Sequence, residues 1–235
     1  MLKLAGLSKR FGALSVIDNL DMDVKAGEVL GVIGPNGAGK TTLFNIIAGV
    51  QAPSGGSVHF NDRDITRIKV WDRCRLGIGR TYQVPKPFTH MSTFENVMVA
   101  AVHGGGLGIR AAKDKAQEVL DFTGLAHRLR TPAGQLSLLD LKRLELAKAL
   151  AQNPRLLLLD EIAGGLTDAE CDSLLDIIRT AHGQGATIIW IEHVLHALRR
   201  IATRLTVLHG GNIISSGPPD QVLADGRVKE VYLGV

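Results

Sequence analysis

Apolar and polar residues follow two different rhythms along this chain. They alternate over short runs at 2–7, 15–19 and 22–24, the period of strands with one covered face. Ala26-Gly27 marks a turn, and Val29-Leu30-Gly31-Val32-Ile33 is apolar throughout, as in a strand buried on both faces. A glycine-rich loop separates that strand from a helix expected over 41–50, ended near Gly49. Val58-His59-Phe60, then Asn61-Asp62, then Ile65 predict a hairpin. After Pro85-Lys86-Pro87 the period lengthens. Thr93-Phe94-Glu95-Asn96-Val97 opens a helix and Gly104-Gly105-Gly106 interrupts. Residues 111–123 then place Ala112, Ala116, Val119, Leu120 and Phe122 on one helical face. Another helix is predicted over 137–152, with Ser137 as its N-cap. Apolar strands return at 156–159, 187–191, 205–208 and 213–214, with helices over 169–182 and 194–201.

Strands alternating with helices predict an α/β fold built on a mainly parallel sheet. An N-terminal antiparallel β subdomain precedes it and a helical insert interrupts it. The expected organisation is a single domain, 1–235, with 1–90 and 153–235 as the core and 91–152 as the helical subdomain. No internal repeat is present.

Composition narrows the partners. The net charge is +4, but Lys and Arg are scattered, which describes a solvated surface and not a nucleic-acid footprint. Cys74 and Cys171 do not form a Cys-x-x-Cys spacing, so neither zinc nor a disulfide is expected, and both read as reduced thiols of a cytosolic protein. Met1 leads directly into a strand-like run without a secretory leader pattern. No apolar run approaches the roughly 20 residues that span a bilayer. Work at a membrane would therefore need a docking partner.

Two stretches carry chemistry. Gly34-Pro35-Asn36-Gly37-Ala38-Gly39-Lys40-Thr41-Thr42 fits the phosphate-loop pattern and lies between a buried strand and a helix. Its backbone N–H groups would wrap phosphates, Lys40 would reach the β- and γ-phosphates, and the Thr41 hydroxyl would ligate magnesium. Leu156-Leu157-Leu158-Leu159-Asp160-Glu161 ends a second apolar strand in two carboxylates. At that position Asp160 would hold magnesium through water and Glu161 would polarise the attacking water. Gln83 follows a strand predicted over 77–82 and His193 follows the one ending in Ile191-Glu192, and their shared sheet edge makes them candidate γ-phosphate and water sensors.

Together these residues resemble the ATP-binding-cassette (ABC) family, the motor subunits of ABC transporters. The resemblance covers nearly the whole chain. It implies ATP and Mg2+ as ligands, Glu161 as catalytic glutamate, His193 as a switch, and Gln83 as a lid-loop residue at nucleotide and metal. It also implies an aromatic that stacks on adenine, for which Phe11 stands at the matching place; by its own pattern Phe11 could equally be core. The family's signature, Leu-Ser-Gly-Gly-Gln, corresponds to Leu136-Ser137-Leu138-Leu139-Asp140. Ser137 would donate to ATP held by a second ATPase subunit, in a homo- or heterodimer. Both signature glycines and the glutamine are replaced, and Asp140 would repel an incoming phosphate. Asp140 is therefore expected to point away or to pair with Lys142 or Arg143. After Glu161 the family continues with Pro and closes the loop with Ser-Ala-Leu-Asp. This chain reads Ile162-Ala163-Gly164-Gly165-Leu166-Thr167-Asp168.

Finer stretches resemble the uptake branch for branched-chain amino acids and related solutes such as amides and urea. They are Gly79-Arg80-Thr81-Tyr82-Gln83, Thr93-Phe94-Glu95-Asn96-Val97, the run 142–150, Ala163-Gly164-Gly165-Leu166, Ile191-Glu192-His193 and Val231-Tyr232-Leu233-Gly234. The resemblance implies transmembrane permease subunits, a solute-binding protein acting indirectly, and a peripheral position at the cytoplasmic side of the cell membrane. The rival readings are a repair or translation ATPase, a small-molecule kinase, and a nucleotide-binding interaction subunit with weak or no hydrolysis because of residues 136–140.

Overall fold

The computed structural model describes residues 1–233, with side chains to Val231. The terminal run expected to mark the branch therefore lies partly outside the described residues. In chain order the elements begin with β1 (Leu2–Phe11), β2 (Leu14–Val24), β3 (Val29–Ile33), α1 (Lys40–Ile47), β4 (Gly55–Phe60) and β5 (Arg63–Asp64). Next come α2 (Val70–Arg75), β6 (Ile78–Arg80), α3 (Thr93–Val99), α4 (Ile109–Phe122), α5 (Leu138–Leu150) and β7 (Leu156–Asp160). Then follow α6 (Asp168–Gly183), β8 (Thr187–Ile191), α7 (Leu195–Ile201), β9 (Arg204–His209), β10 (Asn212–Gly217) and the short α8 (Pro219–Ala224) and α9 (Gly226–Val228). The chain forms two units, 1–73 with 187 onward, and 74–186.

In the first unit β1, β2, β4 and β5 form an antiparallel sheet. The expected strands at 15–19 and 22–24 are one strand, β2, and β1 runs on to Phe11. The polar residues that suggest a break form a bulge instead. Asn19 takes a left-handed φ of 46°, its N–H donates to the Ser8 hydroxyl at 3.0 Å, and the Gly6 N–H donates to Asp21 Oδ1 at 2.8 Å. The pairing survives because these side chains satisfy the backbone where the register slips. A second set of strands pairs β3 in parallel with β8 and β9, and β10 runs antiparallel to β9. Every residue of β3 and of β8 is buried, as their unbroken apolar composition requires.

In the second unit β6 pairs in parallel with β7. The strand expected to reach Tyr82 stops at Arg80. Helices α3, α4 and α5 bury Val97, Ala112, Ala116, Leu120, Leu144 and Ala147 in a common core. Two helices start with reciprocal caps. Ser92 and Glu95 open α3, and Thr167 and Glu170 open α6. Each satisfies backbone N–H groups that a helix start leaves over, and these hydrogen bonds hold both glutamates below the usual carboxylate range. Burial pushes the Cys74 thiol up, which disfavours its reactive thiolate.

Candidate functional site

The phosphate loop occupies 34–39 of the first unit, between β3 and α1. Its glycines are dictated by space and backbone. A Cβ at Gly34 would stand 2.1 Å from the Leu208 carbonyl oxygen, at a φ of +154°. Gly39 is the N-cap of α1 at a φ of 101°, without a side-chain cap, and the first turn holds no acidic residue. A helix start of this kind offers its N–H groups to an anion. Lys40 begins α1 with its side chain buried, and Nζ donates to the carbonyls of Gly34 at 2.7 Å and Pro35 at 3.0 Å. Helix geometry thus returns the ammonium to the loop that precedes it. Asn36, Gly37 and Thr41 are exposed, Pro35 and Thr42 half-buried, and Ala38 buried. An uncapped helix start beside a buried ammonium fits a phosphate chain.

Two further predicted residues belong to this unit. Phe11 ends β1 at 46% exposure, with Lys9 Nζ 4.9 Å from its ring centre, which sets aside the core alternative. His193 follows β8 and is exposed. Its N–H donates to Glu192 Oε1 at 2.9 Å, and the Val194 N–H donates to the same oxygen at 3.3 Å. The buried Glu192 carboxylate therefore shapes the turn that carries His193.

The second unit brings Gln83, Asp160 and Glu161 together. Register pairs Arg80 with Leu158, so the residues following β6 run beside the end of β7. Arg80 Nη2 lies 2.9 Å from Asp160 Oδ2, and the Asp160 N–H donates to Thr81 Oγ1 at 3.1 Å. Glu161 takes a left-handed φ of 46°, a conformation that costs a non-glycine residue about 1 kcal/mol or more. Gln83 Nε2 donates to Glu161 Oε2. Lys142, on α5, donates from Nζ to the main-chain carbonyls of Gln83 at 2.8 Å and Glu161 at 3.2 Å. Asp160 and Glu161 supply hard oxygen donors, as the Thr41 hydroxyl does in the other unit. Among the described residues no cluster of three or more His, Cys, Asp or Glu is placed to hold a metal; a magnesium ion shared with phosphates needs none.

Ser137 is the N-cap of α5 and accepts the Asp140 N–H at 3.2 Å. Its hydroxyl serves its own helix, as the sequence predicts. Asp140 is buried between Arg128 Nε at 3.5 Å and Arg143 Nη1 at 3.7 Å. The expected pairing with Arg143 is present. Lys142 is turned to the carbonyls instead, and Arg128 takes the second place. Sequence reasoning gives no role at the site to Arg80, Thr81 or Arg128, and offers Lys142 only as a partner for Asp140. Arg80 and Thr81 stand next to Tyr82-Gln83, so their position beside β7 was open to inspection. Arg128 is close to Asp140 only through the loop between α4 and α5.

A family model described as ABC transporter matches residues 17–164. The chain is 30% identical over its full length to a probable branched-chain amino acid transport ATP-binding protein LivG of Methanocaldococcus jannaschii, covering 97% of that protein. It is 33% identical to a lipopolysaccharide export system ATP-binding protein LptB of Acidithiobacillus ferridurans, over 100% of this chain and 97% of that one. Among solved structures, the ADP conformation of an ATP-binding cassette of an ABC transporter matches with a TM-score of 0.90 at 30% identity, covering 100% of this chain and 99% of that one.

Proposed function

We propose, from the premise that the chain belongs to the ABC transporter family and is one of its nucleotide-binding ATPases, that it is the motor subunit of an uptake system. Branched-chain amino acids, or related small solutes such as amides and urea, are its cargo. One observation carries the catalytic part: Glu161 directly follows the buried strand β7 in a left-handed conformation with its carboxylate held by Gln83. A carboxylate held at a fixed point is suited to take a proton from an attacking water.

The roles divide as follows. The N–H groups of 34–42 cradle the triphosphate, Lys40 leaves its loop carbonyls for the β- and γ-phosphates, and Phe11 stacks on adenine. Glu161 orients and deprotonates water, and His193 contacts the γ-phosphate. Thr41, Asp160 and Gln83 would hold magnesium, which when bound neutralises phosphate charge. Ser137 reaches ATP on a second ATPase subunit, so two nucleotides close the dimer and hydrolysis reopens it. Among the described residues no helix is long and apolar enough to cross a membrane. Attachment to the cytoplasmic face would come from permease subunits, and a solute-binding protein would act on those permeases. The exposed Val84 and Phe88 beside Gln83 are candidate permease contacts.

The LivG relative supports import, and the LptB relative supplies a second reading, export of a lipid-linked substrate. Co-purification of the native complex decides between them, through a solute-binding protein in one case and its absence in the other. For hydrolysis, Glu161→Gln should lower Mg-ATP turnover by about a hundredfold or more while ATP still binds. Lys40→Ala should weaken ATP binding itself. Equally slow turnover of Glu161→Gln and the parent would instead favour a nucleotide-binding interaction subunit.

A further inference from the structure

We infer that α5 clamps the loop after β6 and the Glu161 turn into one body, and that Lys142 is the positioning residue joining them. The consequence for turnover, though not the clamp itself, rests on Glu161 being the catalytic base.

Residues three apart share one face of a helix, and Lys142, Glu145 and Lys148 are spaced in this way along α5. Lys142 and Glu145 are only 4% and 2% exposed. All three turn to the same short loop. Lys142 Nζ donates to the Gln83 carbonyl at 2.8 Å. Glu145 Oε1 accepts the Lys86 N–H at 2.8 Å, and Lys148 Nζ donates to the Lys86 carbonyl at 2.8 Å. Lys148 also pairs with Glu145 Oε1, which balances the buried carboxylate. Pro85 and Pro87 carry no N–H, so Lys86 offers the single backbone donor of that tripeptide, and Glu145 takes it. On the other side Asn96 of α3 accepts the Phe88 N–H at 2.8 Å and donates to the Phe88 carbonyl at 3.1 Å. The loop is thus pinned by two helices while Val84 and Phe88 project at 70% and 52% exposure.

Lys142 adds the link to chemistry. Its ammonium also donates to the Glu161 carbonyl at 3.2 Å, and Gln83 Nε2 holds the Glu161 carboxylate. Lys142, Gln83 and Glu161 therefore form a closed ring of hydrogen bonds. A shift of the Gln83 backbone moves both the amide that holds the carboxylate and the cation that holds its main chain. If α5 were only a packing helix, apolar residues at 142 and 145 would stabilise it without burying charge. Buried charges whose hydrogen bonds end on a neighbouring loop are the mark of positioning.

The test combines steady-state kinetics with hydrogen exchange on the full-length chain. Lys142→Met should lower kcat by about tenfold or more and leave the KM for ATP within about twofold, and Lys142→Arg should restore most of the loss. Exchange in the segment 83–88 should rise by about tenfold in Lys142→Met and in Glu145→Ala, with the α1 segment 40–47 unchanged. Unaltered exchange at 83–88, an equal rise in both segments, or full kcat in Lys142→Met overturns the clamp. Should Lys142→Met fail to fold, Glu145→Gln decides by the same exchange measurement, since it keeps an oxygen for Lys86 but gives up the charge that pairs with Lys148. Parent turnover no faster than that of Glu161→Gln would remove the catalytic reading, and the exchange result would still judge the clamp.

Discussion

Replacing Arg73 with Met removes a guanidinium that is 1% exposed and surrounded by main-chain oxygens. Nε donates to Ile68 at 2.9 Å, Nη1 to Ile46 at 2.6 Å and Ile47 at 2.8 Å, and Nη2 to Ile65 at 2.6 Å and Thr66 at 3.1 Å. Ile46 and Ile47 close α1, where carbonyls have no partner within the helix and a cation favours the dipole. Gly49 makes the approach possible, since a Cβ there would lie 2.8 Å from Nε. Each hydrogen bond from a charged donor contributes about 1.5 kcal/mol or more, but the five share one charge. Burial lowers the guanidinium pKa to about 10, an opposing desolvation of about 3 kcal/mol. The net loss expected for Arg73→Met is about 4 kcal/mol, because five carbonyls lose a donor together and, among the described residues, only those of Ile46 and Ile65 keep a backbone N–H. Urea unfolding measures it directly, and the melting temperature should fall by about 10 °C for a chain of this size. Arg73→Lys should recover no more than about half, since an ammonium has three donors and no planar fork. A loss under about 1 kcal/mol for Arg73→Met would show that water or local relaxation satisfies these carbonyls, and the account of how α1 is anchored would fail.

Gly34→Ala should abolish nucleotide binding or soluble expression, because its Cβ would meet the Leu208 carbonyl oxygen at 2.1 Å; binding of a fluorescent ATP analogue reads this out. Thr167→Ala should cost about 1 kcal/mol in chemical denaturation through loss of the N-cap of α6. The Glu170 carboxyl is lowered first by the Thr167 N–H and then by the Thr167 hydroxyl. Its stabilisation is therefore complete above the ordinary glutamate pKa and is lost as pH falls through the lower folded value. Glu170→Gln should accordingly flatten the acid limb of the melting-temperature profile, and an unchanged limb would discount the cap. Asp140→Asn should destabilise the chain by about 1 to 2 kcal/mol, since it leaves Arg128 and Arg143 without their shared carboxylate; a thermal shift of zero would mean that the two arginines are held by other groups.

The regular elements were legible wherever one physical signal dominated. The unbroken apolar runs at β3, β7 and β8 are buried throughout, and Ala112, Ala116, Val119 and Leu120 face the helical core as their spacing predicts. The bulge at Asn19 was not legible, because a polar residue within an alternating strand reads as a break until the facing strand supplies partners. The β6 end was overcalled for a related reason: the alternation continues to Tyr82, but the ring lies between Arg80 and Lys86, 5.2 Å and 4.8 Å away. At the site, glycines and carboxylates announce themselves by type and place. The side chains that hold them do not. Lys142 is one of many lysines in sequence, and only the fold turns it toward two particular carbonyls. Asp140 shows the same limit, since helical spacing found Arg143 while Arg128 came from a loop.

The two departures from the family pattern turn out to be neighbours. Leu138 stands where the signature has its first glycine, and Gly165 stands where the usual loop after the glutamate has alanine. A Cβ at Gly165 would lie 3.3 Å from Leu138 Cδ2, and Gly165 itself adopts a φ of +78°. The larger residue at one position thus lies against the space left by the smaller residue at the other, so the segment at 136–140 is accommodated by its own unit. Leu138 remains 46% exposed, leaving an apolar surface at the start of α5. Charge is handled in the same local way, with Asp140 held between two arginines. What the glycines would have contributed is closeness of approach; what the leucines retain is the pair of backbone N–H groups at a capped helix start. Replacement of the signature therefore alters shape more than electrostatics at the start of α5.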